Sequence, residues 1–296
     1  MPTVNAQQIA EWNGPQGQRW AELQRQTDRL VGPFGVAALA RAAPQPAEGV
    51  LDIGCGCGET SFELARRVGP RGWVLGLDIS RPMLEAARRQ AAGESESASA
   101  SKGESEAAGR ARLEFREGDA ATAPLPAGAD LLYSRFGLMF FDQPAAALRH
   151  LRGALRPGGR LAFVCWRSPR DNPWAMTPLV AARQALGVVA EPADPLAPGP
   201  FAFADEARLR ALLAEAGWAG IELQRFDAAV TLGPSPRAAA ENATRIGPTS
   251  RLVREVGLTD ERPLLDALER AFAPLAAADG AVRLAGSTWI ASAVNP

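Results

Sequence analysis

Apolar and polar positions alternate along the middle of the chain in two patterns, one typical of buried strands and the other of amphipathic helices. Short apolar runs predict strands at five places: 50–53, 73–77, 112–116, 130–134 and 160–166. Helix-spaced apolar residues lie between them, for example Phe62, Leu64 and Val68 after the first strand. Strands that alternate with helices in this way predict an α/β fold with a parallel sheet covered on both faces.

The two ends of the chain follow a different pattern. Residues 3–43 have helical apolar spacing and are closed by Pro44, so we expect a helical segment outside the sheet. Beyond the fifth strand, two further strands are predicted at 220–232 and 281–294, separated by a helical stretch. This arrangement predicts a seven-stranded, mostly parallel sheet with an antiparallel C-terminal edge strand.

These patterns divide the chain into three parts: an N-terminal helical arm or flap (1–46), a central core (47–168) and a C-terminal part (169–296) that completes the sheet. The C-terminal part carries two helical insertions, 169–200 and 234–278, which we expect to form a lid over the strand ends.

Composition narrows the class of protein. The chain has 296 residues, of which 47% are hydrophobic, and a formal net charge of −1, so neither nucleic acid nor an anionic membrane is an expected partner. It lacks both an apolar run long enough to span a membrane and an apolar signal core near its first residues, and we expect a cytoplasmic protein. Its three cysteines form neither a disulfide framework nor a metal-ligand pattern, so no metal is expected. Residues 93–109 are of low complexity and are predicted to be a mobile surface insertion.

The first predicted strand ends in a loop with glycine at every second position, Gly54, Gly56 and Gly58. Glycine tolerates a positive φ and allows a ligand to approach the backbone closely. The loop leads into a helix whose first N–H groups are free to bind a ligand, so the segment predicts a nucleotide-binding site. Asp78 ends the second strand, twenty residues after Gly58, and suits the ribose hydroxyls. Its alternative role is a helix cap, a place that Ser80 already fills.

Other candidate site residues follow the third and fourth strands, at the same edge of the sheet. Asp119 follows the third strand and suits the exocyclic amine of adenine; its alternative is an ordinary turn residue. Ser134, Arg135 and Phe136 follow the fourth strand. Ligands of open α/β sheets bind outside the carboxyl ends of the strands, which is where all these residues lie.

The glycine spacing distinguishes between cofactors. A dinucleotide fold prefers G-x-G-x-x-G with a pyrophosphate at the helix N-terminus, whereas this loop is G-x-G-x-G followed by the acidic Glu59. A carboxylate at that place suits a ligand with cationic groups better. An NAD(P)-dependent oxidoreductase is therefore a disfavoured alternative.

Four segments in order resemble the motifs of class I S-adenosylmethionine-dependent methyltransferases, and most closely the ubiquinone/menaquinone-biosynthesis type. They are LDIGCGCG at 51–58, GLDIS at 76–80, GDA at 118–120 and LRPGG at 155–159. The resemblance implies a Rossmann-like fold, S-adenosyl-L-methionine as cofactor and methyl transfer to a small-molecule O or C nucleophile. A relative that binds the cofactor without catalysis is the alternative. We expect no nucleic acid or membrane partner, and a monomer or homodimer.

The resemblance also implies roles for individual residues. The glycine loop would contact the methionine part, Ile79 and Met83 the adenine faces, and Asp119 with Ala120 the adenine edge. The residues assigned to cofactor binding are Asp52, Gly54, Cys55, Gly56, Gly58, Asp78, Ile79, Met83, Gly118, Asp119, Ala120, Ser134, Arg135 and Phe136.

The methyl acceptor leaves few signals in the sequence. Two roles are open for Trp12, Asn13 and Trp20 of the arm: a flap over the site, or packing of the tryptophans onto the core. Phe136 is predicted to be a further substrate contact. Candidate bases are Tyr133, which is otherwise a core aromatic residue, and Asp142. The only histidine, His150, has the neighbours of a surface helix and is not expected to reach the site.

Overall fold

A computed structural model describes residues 4–100, 111–189 and 194–296, and over these ranges the chain forms a seven-stranded sheet in the order β3-β2-β1-β4-β5-β7-β6. The strands are β1 (Gly49–Ile53), β2 (Trp73–Asp78), β3 (Arg112–Glu117), β4 (Ala129–Arg135), β5 (Leu155–Trp166), β6 (Ala219–Gly233) and β7 (Val282–Val294). The first five pair in parallel, and β7 pairs antiparallel with both β5 and β6. This confirms the predicted fold class. The antiparallel strand lies one place in from the edge, because the earlier strand β6 takes the outermost position.

Helices cover the sheet and extend beyond it. Those in the described residues are α1 (Ala6–Asn13), α2 (Pro15–Glu22), α3 (Gln24–Ala42), α4 (Glu59–Val68), α5 (Arg81–Ala100), α6 (Pro144–Arg152), α7 (Pro173–Leu186), α8 (Glu206–Glu215), α9 (Pro236–Ala243), α10 (Pro248–Val256) and α11 (Arg262–Phe272). The predicted low-complexity insertion at 93–109 is helical as far as Ala100, and residues 101–109 lie outside the described residues. No described helix is both long and apolar enough to span a membrane.

The centre of the sheet is buried on both faces. All five residues of β1 are buried, and Leu131 and Leu132 of the neighbouring β4 are fully buried. A strand covered by helices on both sides reads as a continuous apolar run, which is why the sequence predicts this part of the fold accurately.

The Pro-Gly-Gly segment at 157–159 has the composition of a tight turn but lies within a strand. Strand β5 begins before it, at Leu155, which pairs with Ala129. The register then shifts between Ala129 and Leu131, and Gly158 has a φ of 75°. A glycine with positive φ accommodates this bulge without ending the strand.

Four helices of the C-terminal part form a layer that we call the helical cap: α7, α9, α10 and α11. Helix α11 packs against α9 and α7, and α10 packs against α7. Arg237 of α9 forms ion pairs with Asp266 (2.8 Å) and Glu269 (3.4 Å) of α11. Since α7 follows β5 and α9 follows β6, the cap lies at the carboxyl ends of the strands.

Candidate functional site

The glycine loop between β1 and α4 adopts the backbone that its sequence predicts. Gly54, Gly56 and Gly58 have φ values of 68°, 55° and 88°. A Cβ atom at Gly54 would lie 2.8 Å from the Cα atom of Gly137, and one at Gly56 would lie 2.7 Å from the Cε atom of Met83. At Gly54 the obstacle is backbone, which cannot give way, whereas at Gly56 it is the end of a flexible side chain. The positive φ values favour glycine at all three positions.

Asp78 at the end of β2 holds this loop in place. Its Oδ2 atom accepts a hydrogen bond from the Gly56 N–H group (2.8 Å), and its Oδ1 atom accepts one from the Ser80 N–H group (2.8 Å). Burial raises the pKa of Asp78. A carboxylate oxygen can accept more than one hydrogen bond, so both oxygens of Asp78 retain capacity for a ligand hydroxyl.

Ser80 does not cap α5 through its side chain, contrary to the sequence-based prediction. Its hydroxyl donates a hydrogen bond to the Trp12 carbonyl (2.8 Å). The Oδ1 atom of Asn13 instead accepts a hydrogen bond from the Arg81 N–H group (2.9 Å) at the start of α5. A side chain of the N-terminal arm thus satisfies a free donor of this helix.

Asp52 on β1 carries an unsatisfied acceptor directly before the glycine loop. Its Oδ2 atom accepts hydrogen bonds from the Thr60 hydroxyl (2.7 Å) and the Ser61 hydroxyl (2.6 Å), while its Oδ1 atom is buried without a hydrogen-bond partner. Burial raises the pKa of Asp52 to about 6. A buried carboxylate oxygen without a donor is costly, so this atom is suited to a ligand that brings a cationic donor.

Arg135 connects the loop to the arm through an ion-pair triad. Its Nη1 atom lies 2.5 Å from Glu59 after the loop, and its Nη2 atom lies 2.7 Å from Asp28 on α3. The side chain passes directly over Gly35, where a Cβ atom would lie 2.9 Å from its Cδ atom. The next residue, Phe136, has a φ of 61°, an unusual conformation for a bulky side chain and one that marks functional sites.

The arm lies across the ends of three strands. The Asn5 side chain donates hydrogen bonds to both oxygens of Asp119 (2.9 and 3.0 Å), and the Asn5 N–H group donates to Asp142 (2.6 Å). At the other end of α1, Asn13 donates to the Ile79 carbonyl (2.8 Å). Helix α1 therefore runs over the residues that the sequence assigns to ribose and adenine.

The tryptophans of the arm pack on each other and on the core. Trp12 makes edge contacts with Trp20 and Phe140, both with ring centroids 5.5 Å apart. Gly17 lets α1 approach α2, because a Cβ atom there would lie 1.8 Å from the Trp12 carbonyl oxygen. The position of Trp12 at the strand ends is compatible with the predicted flap and with the packing role.

Four aromatic side chains form what we call the aromatic cluster: Phe34, Phe136, Trp166 and Trp174. Phe136 stacks on Trp166 with 4.4 Å between ring centroids, and Trp166 lies 5.0 Å from Phe34 and 4.8 Å from Trp174. The cluster joins the carboxyl ends of β4 and β5 to α3 and the cap. The sequence pattern does not single out Phe34 and Trp174 as site residues, although an aromatic residue directly after Pro173 in a predicted lid is a usable signal.

Other predicted cofactor residues hold the strand ends together. The Ser134 hydroxyl donates to the Ile53 carbonyl (2.7 Å), and the Gly118 N–H group donates to the Asp78 carbonyl (3.0 Å). Burial raises the pKa of Cys57 in the glycine loop to about 12, so its thiol stays protonated. Cys55 is a buried free thiol as well, and burial raises its pKa too.

The candidate bases lie in different environments. Tyr133 is fully buried, its hydroxyl donates to the Gly35 carbonyl (3.3 Å), and burial raises its pKa well above the usual range. This placement favours the alternative role, a core aromatic residue. Asp142 is exposed and is bound by Asn5. His150 is also exposed and contacts the Ala123 carbonyl (2.9 Å), as expected for a surface helix.

Known proteins are similar to this chain in sequence and in fold. Residues 50–159 match the family described as a methyltransferase domain. The chain is 35% identical to nocamycin O-methyltransferase of Saccharothrix syringae over 63% of each chain. It is 33% identical to demethylmenaquinone methyltransferase of Lactococcus lactis, over 39% of this chain and 40% of that protein. The chain thus spans less than two thirds of the length of each of these two relatives.

Two further proteins match this chain over more of their own length. An uncharacterized methyltransferase of Mycobacterium bovis is 32% identical, over 50% of this chain and 67% of its own length. The crystal structure of the YcgJ protein of Bacillus subtilis superimposes with a TM-score of 0.55 and 16% identity, over 88% of this chain and 98% of that one, and so shows the same fold.

The domain match begins in β1 and ends in β5, so it includes the glycine loop, Asp78, Asp119 and Arg135. Together with the curated relatives, it shows that the motif resemblance reflects true membership: the chain belongs to the class I S-adenosylmethionine-dependent methyltransferases.

Proposed function

We propose that the protein transfers the methyl group of S-adenosylmethionine to an oxygen or carbon nucleophile of a small molecule. The observation that carries the proposal is the unpartnered Oδ1 atom of Asp52, a buried acceptor beside a loop whose three positive φ values favour glycine. The cofactor brings an ammonium group and a sulfonium, and both suit an edge with the carboxylates of Asp52 and Asp78. Two named relatives, a nocamycin O-methyltransferase and a demethylmenaquinone methyltransferase, support a small-molecule acceptor.

The residues present fit the cofactor as follows. Asp52 and the glycine loop would hold the methionine part, and Asp78 the ribose hydroxyls. Ile79 and Met83 would contact the adenine faces, and Asp119 with Ala120 its edge. Asn5 donates to both oxygens of Asp119, the atoms that would accept from the adenine amine. The arm must therefore shift at this point when adenine binds.

The bound cofactor supplies the activated methyl group, so the protein's contribution is chiefly to position the acceptor and exclude water. The aromatic cluster does this beside Arg135, because its stacked rings leave an apolar wall at the ends of β4 and β5. Arg135 is oriented by Asp28 and Glu59 and would face the methionyl end or the acceptor. A base is required only for an acceptor that must lose a proton, and Tyr133 and Asp142 are the candidates.

The proposal is tested by calorimetry with S-adenosylhomocysteine and by a screen of acceptors that detects its release from S-adenosylmethionine. We expect binding, and turnover with at least one aromatic or quinone-like acceptor. Binding without turnover across the screen would favour the non-catalytic relative. A hydride-transfer assay with NAD(P)H tests the oxidoreductase alternative, and we expect no reaction there.

Replacing Asp78 by alanine should weaken S-adenosylhomocysteine binding by about 1.5–3 kcal/mol, the range for hydrogen bonds to a charged group. The variant removes the predicted ribose contact and also releases the Gly56 N–H group. The dissociation constant from calorimetry measures the effect. Asp279→Ala is the control, since this exposed carboxylate pairs with Arg283 and contacts none of the residues assigned to the cofactor, and it should leave affinity unchanged. Equal affinity of Asp78→Ala and wild type would refute the ribose role.

A further inference from the structure

The carboxylate of Asp119, proposed to accept from the adenine amine, already binds an –NH2 group of the chain itself. The Asn5 Nδ2 atom donates to the Oδ1 atom (2.9 Å) and to the Oδ2 atom (3.0 Å) of Asp119. A nitrogen at nearly equal distances from both oxygens lies in front of the carboxylate. The Oδ1 atom also accepts from the Ala121 N–H group (2.9 Å). Since each carboxylate oxygen has about two acceptor sites, Oδ1 is saturated and Oδ2 has room for one more donor.

Asn5 is held in this position by the segment after β4. Its N–H group donates to the Asp142 Oδ2 atom (2.6 Å), and its Oδ1 atom accepts from the Asp142 N–H group (2.8 Å). The opposite orientation of the amide would set an oxygen against the Asp119 carboxylate, so these bonds fix which atom faces Asp119. Asn5 is 2% exposed and has a φ of 58°, a conformation that asparagine adopts more readily than most residues. The amide is therefore fixed in front of Asp119 by the chain itself.

The Asn5 amide and the adenine amine are donors of the same kind. Each is a planar –NH2 group with two N–H bonds, so both suit the same carboxylate. The front of the Asp119 carboxylate has room for one such nitrogen. An adenine amine that takes the place of the Asn5 Nδ2 atom exchanges one N–H···O hydrogen bond for another. Such an exchange adds little net affinity.

The other end of α1 is held without either of the proposed cofactor carboxylates. Asn13 donates to the Ile79 carbonyl (2.8 Å) and accepts from the Arg81 N–H group (2.9 Å). Both partners there are backbone groups, and neither is a proposed acceptor of a cofactor hydrogen bond. The two ends of α1 therefore differ in kind. Only the Asn5 end competes with the cofactor, and it can yield while the Asn13 end stays attached.

We propose that Asn5 is a built-in competitor of the adenine amine, an autoinhibitory contact that occupies Asp119 until S-adenosylmethionine displaces it. The inference rests on the proposed function, through the adenine role of Asp119. The contact lowers the affinity for every ligand that carries the amine, so it weakens binding of the product S-adenosylhomocysteine as well as that of the cofactor. A ligand without the amine leaves Asn5 in place and is not affected.

The test compares S-adenosylhomocysteine with its 6-deamino analogue, in which hydrogen replaces the amine of the base. Calorimetry on the full chain gives both dissociation constants. We expect the wild type to prefer S-adenosylhomocysteine by less than about twofold, because the amine forms one hydrogen bond and breaks another. Asn5→Gly removes the competitor and tolerates the positive φ. It should bind S-adenosylhomocysteine about five- to tenfold more tightly than the wild type does, the effect of one net hydrogen bond, and bind the analogue equally well.

Asn13→Ala is the matched control. It removes the hydrogen bonds at the other end of α1 but no group in front of Asp119. It should change the affinities for the two ligands by the same factor and so keep the wild-type preference. A general loosening of the arm predicts this behaviour for Asn5→Gly too, so the ratio of the two affinities distinguishes competition from loosening. A partial loss of stability does not change this ratio, because both ligands are measured on the same protein.

Two results would overturn the proposal. In the first, Asn5→Gly keeps the wild-type preference; in the second, it binds S-adenosylhomocysteine more weakly than the wild type does, and Asn5 then supports the site instead of competing for it. Failure of the proposed function is a different result, in which neither ligand binds any of the three proteins, and the proposal fails with it. If the preference changes as expected while no acceptor is methylated in the screen, the autoinhibitory contact stands and catalysis is refuted.

Discussion

Replacing Gly54 by alanine should lower the free energy of unfolding by about 2–4 kcal/mol and abolish measurable S-adenosylhomocysteine binding. Two penalties add at this position. The φ of 68° costs a side chain about 1–2 kcal/mol. The new Cβ atom would also lie 2.8 Å from the Cα atom of Gly137, a backbone atom that cannot rotate away, so the loop after β4 must shift. Urea unfolding and calorimetry measure the two effects.

Gly56→Ala separates these penalties. Its φ of 55° is similar, but its Cβ atom would meet only the terminal methyl group of Met83, which can move to another rotamer. We expect a loss of about 1–2 kcal/mol in stability, the backbone cost alone. Equal losses for the two variants would show that contact between the loop and Gly137 contributes nothing.

The parts of the fold that the sequence predicts well are those with a local physical cause. Strand β1 is recognisable because Val50, Leu51 and Ile53 form an apolar run broken only by Asp52, and the glycine loop is recognisable because its positive φ values favour glycine. The places of Asp78 and Asp119 at strand ends could also be predicted, whereas their ligand roles stay predictions. These signals depend on a few neighbouring residues and need no knowledge of tertiary contacts.

What the sequence does not show are contacts between distant segments. The hydrogen bond between Asn5 and Asp119 spans more than a hundred residues, and neither side chain differs in sequence from an ordinary turn residue. Asp28 is one of several charged residues on α3, and only the fold brings it to Arg135. Likewise, Ser80 has the sequence of a helix cap but bonds the Trp12 carbonyl, because Gly17 allows the arm to approach that closely.

These contacts arrange the predicted site in three layers. The arm covers the proposed adenine end through Asn5, the loop and Asp52 form the centre, and the aromatic cluster leads to the cap on the proposed acceptor side. The central layer, Asp119 and Phe136 lie within the matched methyltransferase domain, whereas the arm, α3 and the cap lie outside it. Selection of the acceptor is therefore expected to depend on α3 and the cap, and cofactor exchange on the arm.

Asp52→Asn should change both stability and cofactor binding, and each change should depend on pH. Burial raises the pKa of Asp52 to about 6, above the value of 3.8 for the unfolded chain. Between these two values the folded protein binds more protons than the unfolded one. Ionisation of Asp52 therefore lowers the free energy of unfolding as the pH rises, and the loss is complete above pH 6. At pH 7 that cost is up to about 3 kcal/mol. Asparagine cannot ionise, so the variant lacks this cost.

The measurement is the difference in unfolding free energy between Asp52→Asn and the wild type. The introduced asparagine adds a cost that does not depend on pH, because its amide group occupies the position that lacks a partner. Other titrating groups nearby, such as Asp78, are present in both proteins and largely cancel. The difference should therefore increase in favour of the variant by up to about 3 kcal/mol between pH 4 and pH 7. A difference independent of pH would contradict a raised pKa at Asp52.

Cofactor binding should show the complementary dependence. A cationic group of the ligand beside the Oδ1 atom favours ionised Asp52, so wild-type affinity for S-adenosylhomocysteine should fall by about tenfold per pH unit below pH 6 and be constant just above it. Asp52→Asn should bind more weakly and lack this slope, because it always presents a neutral amide. Calorimetry between pH 5 and pH 7 measures both. If the variant kept the wild-type slope, the proton would belong to another group, and the assignment of Asp52 to the ammonium group would be wrong.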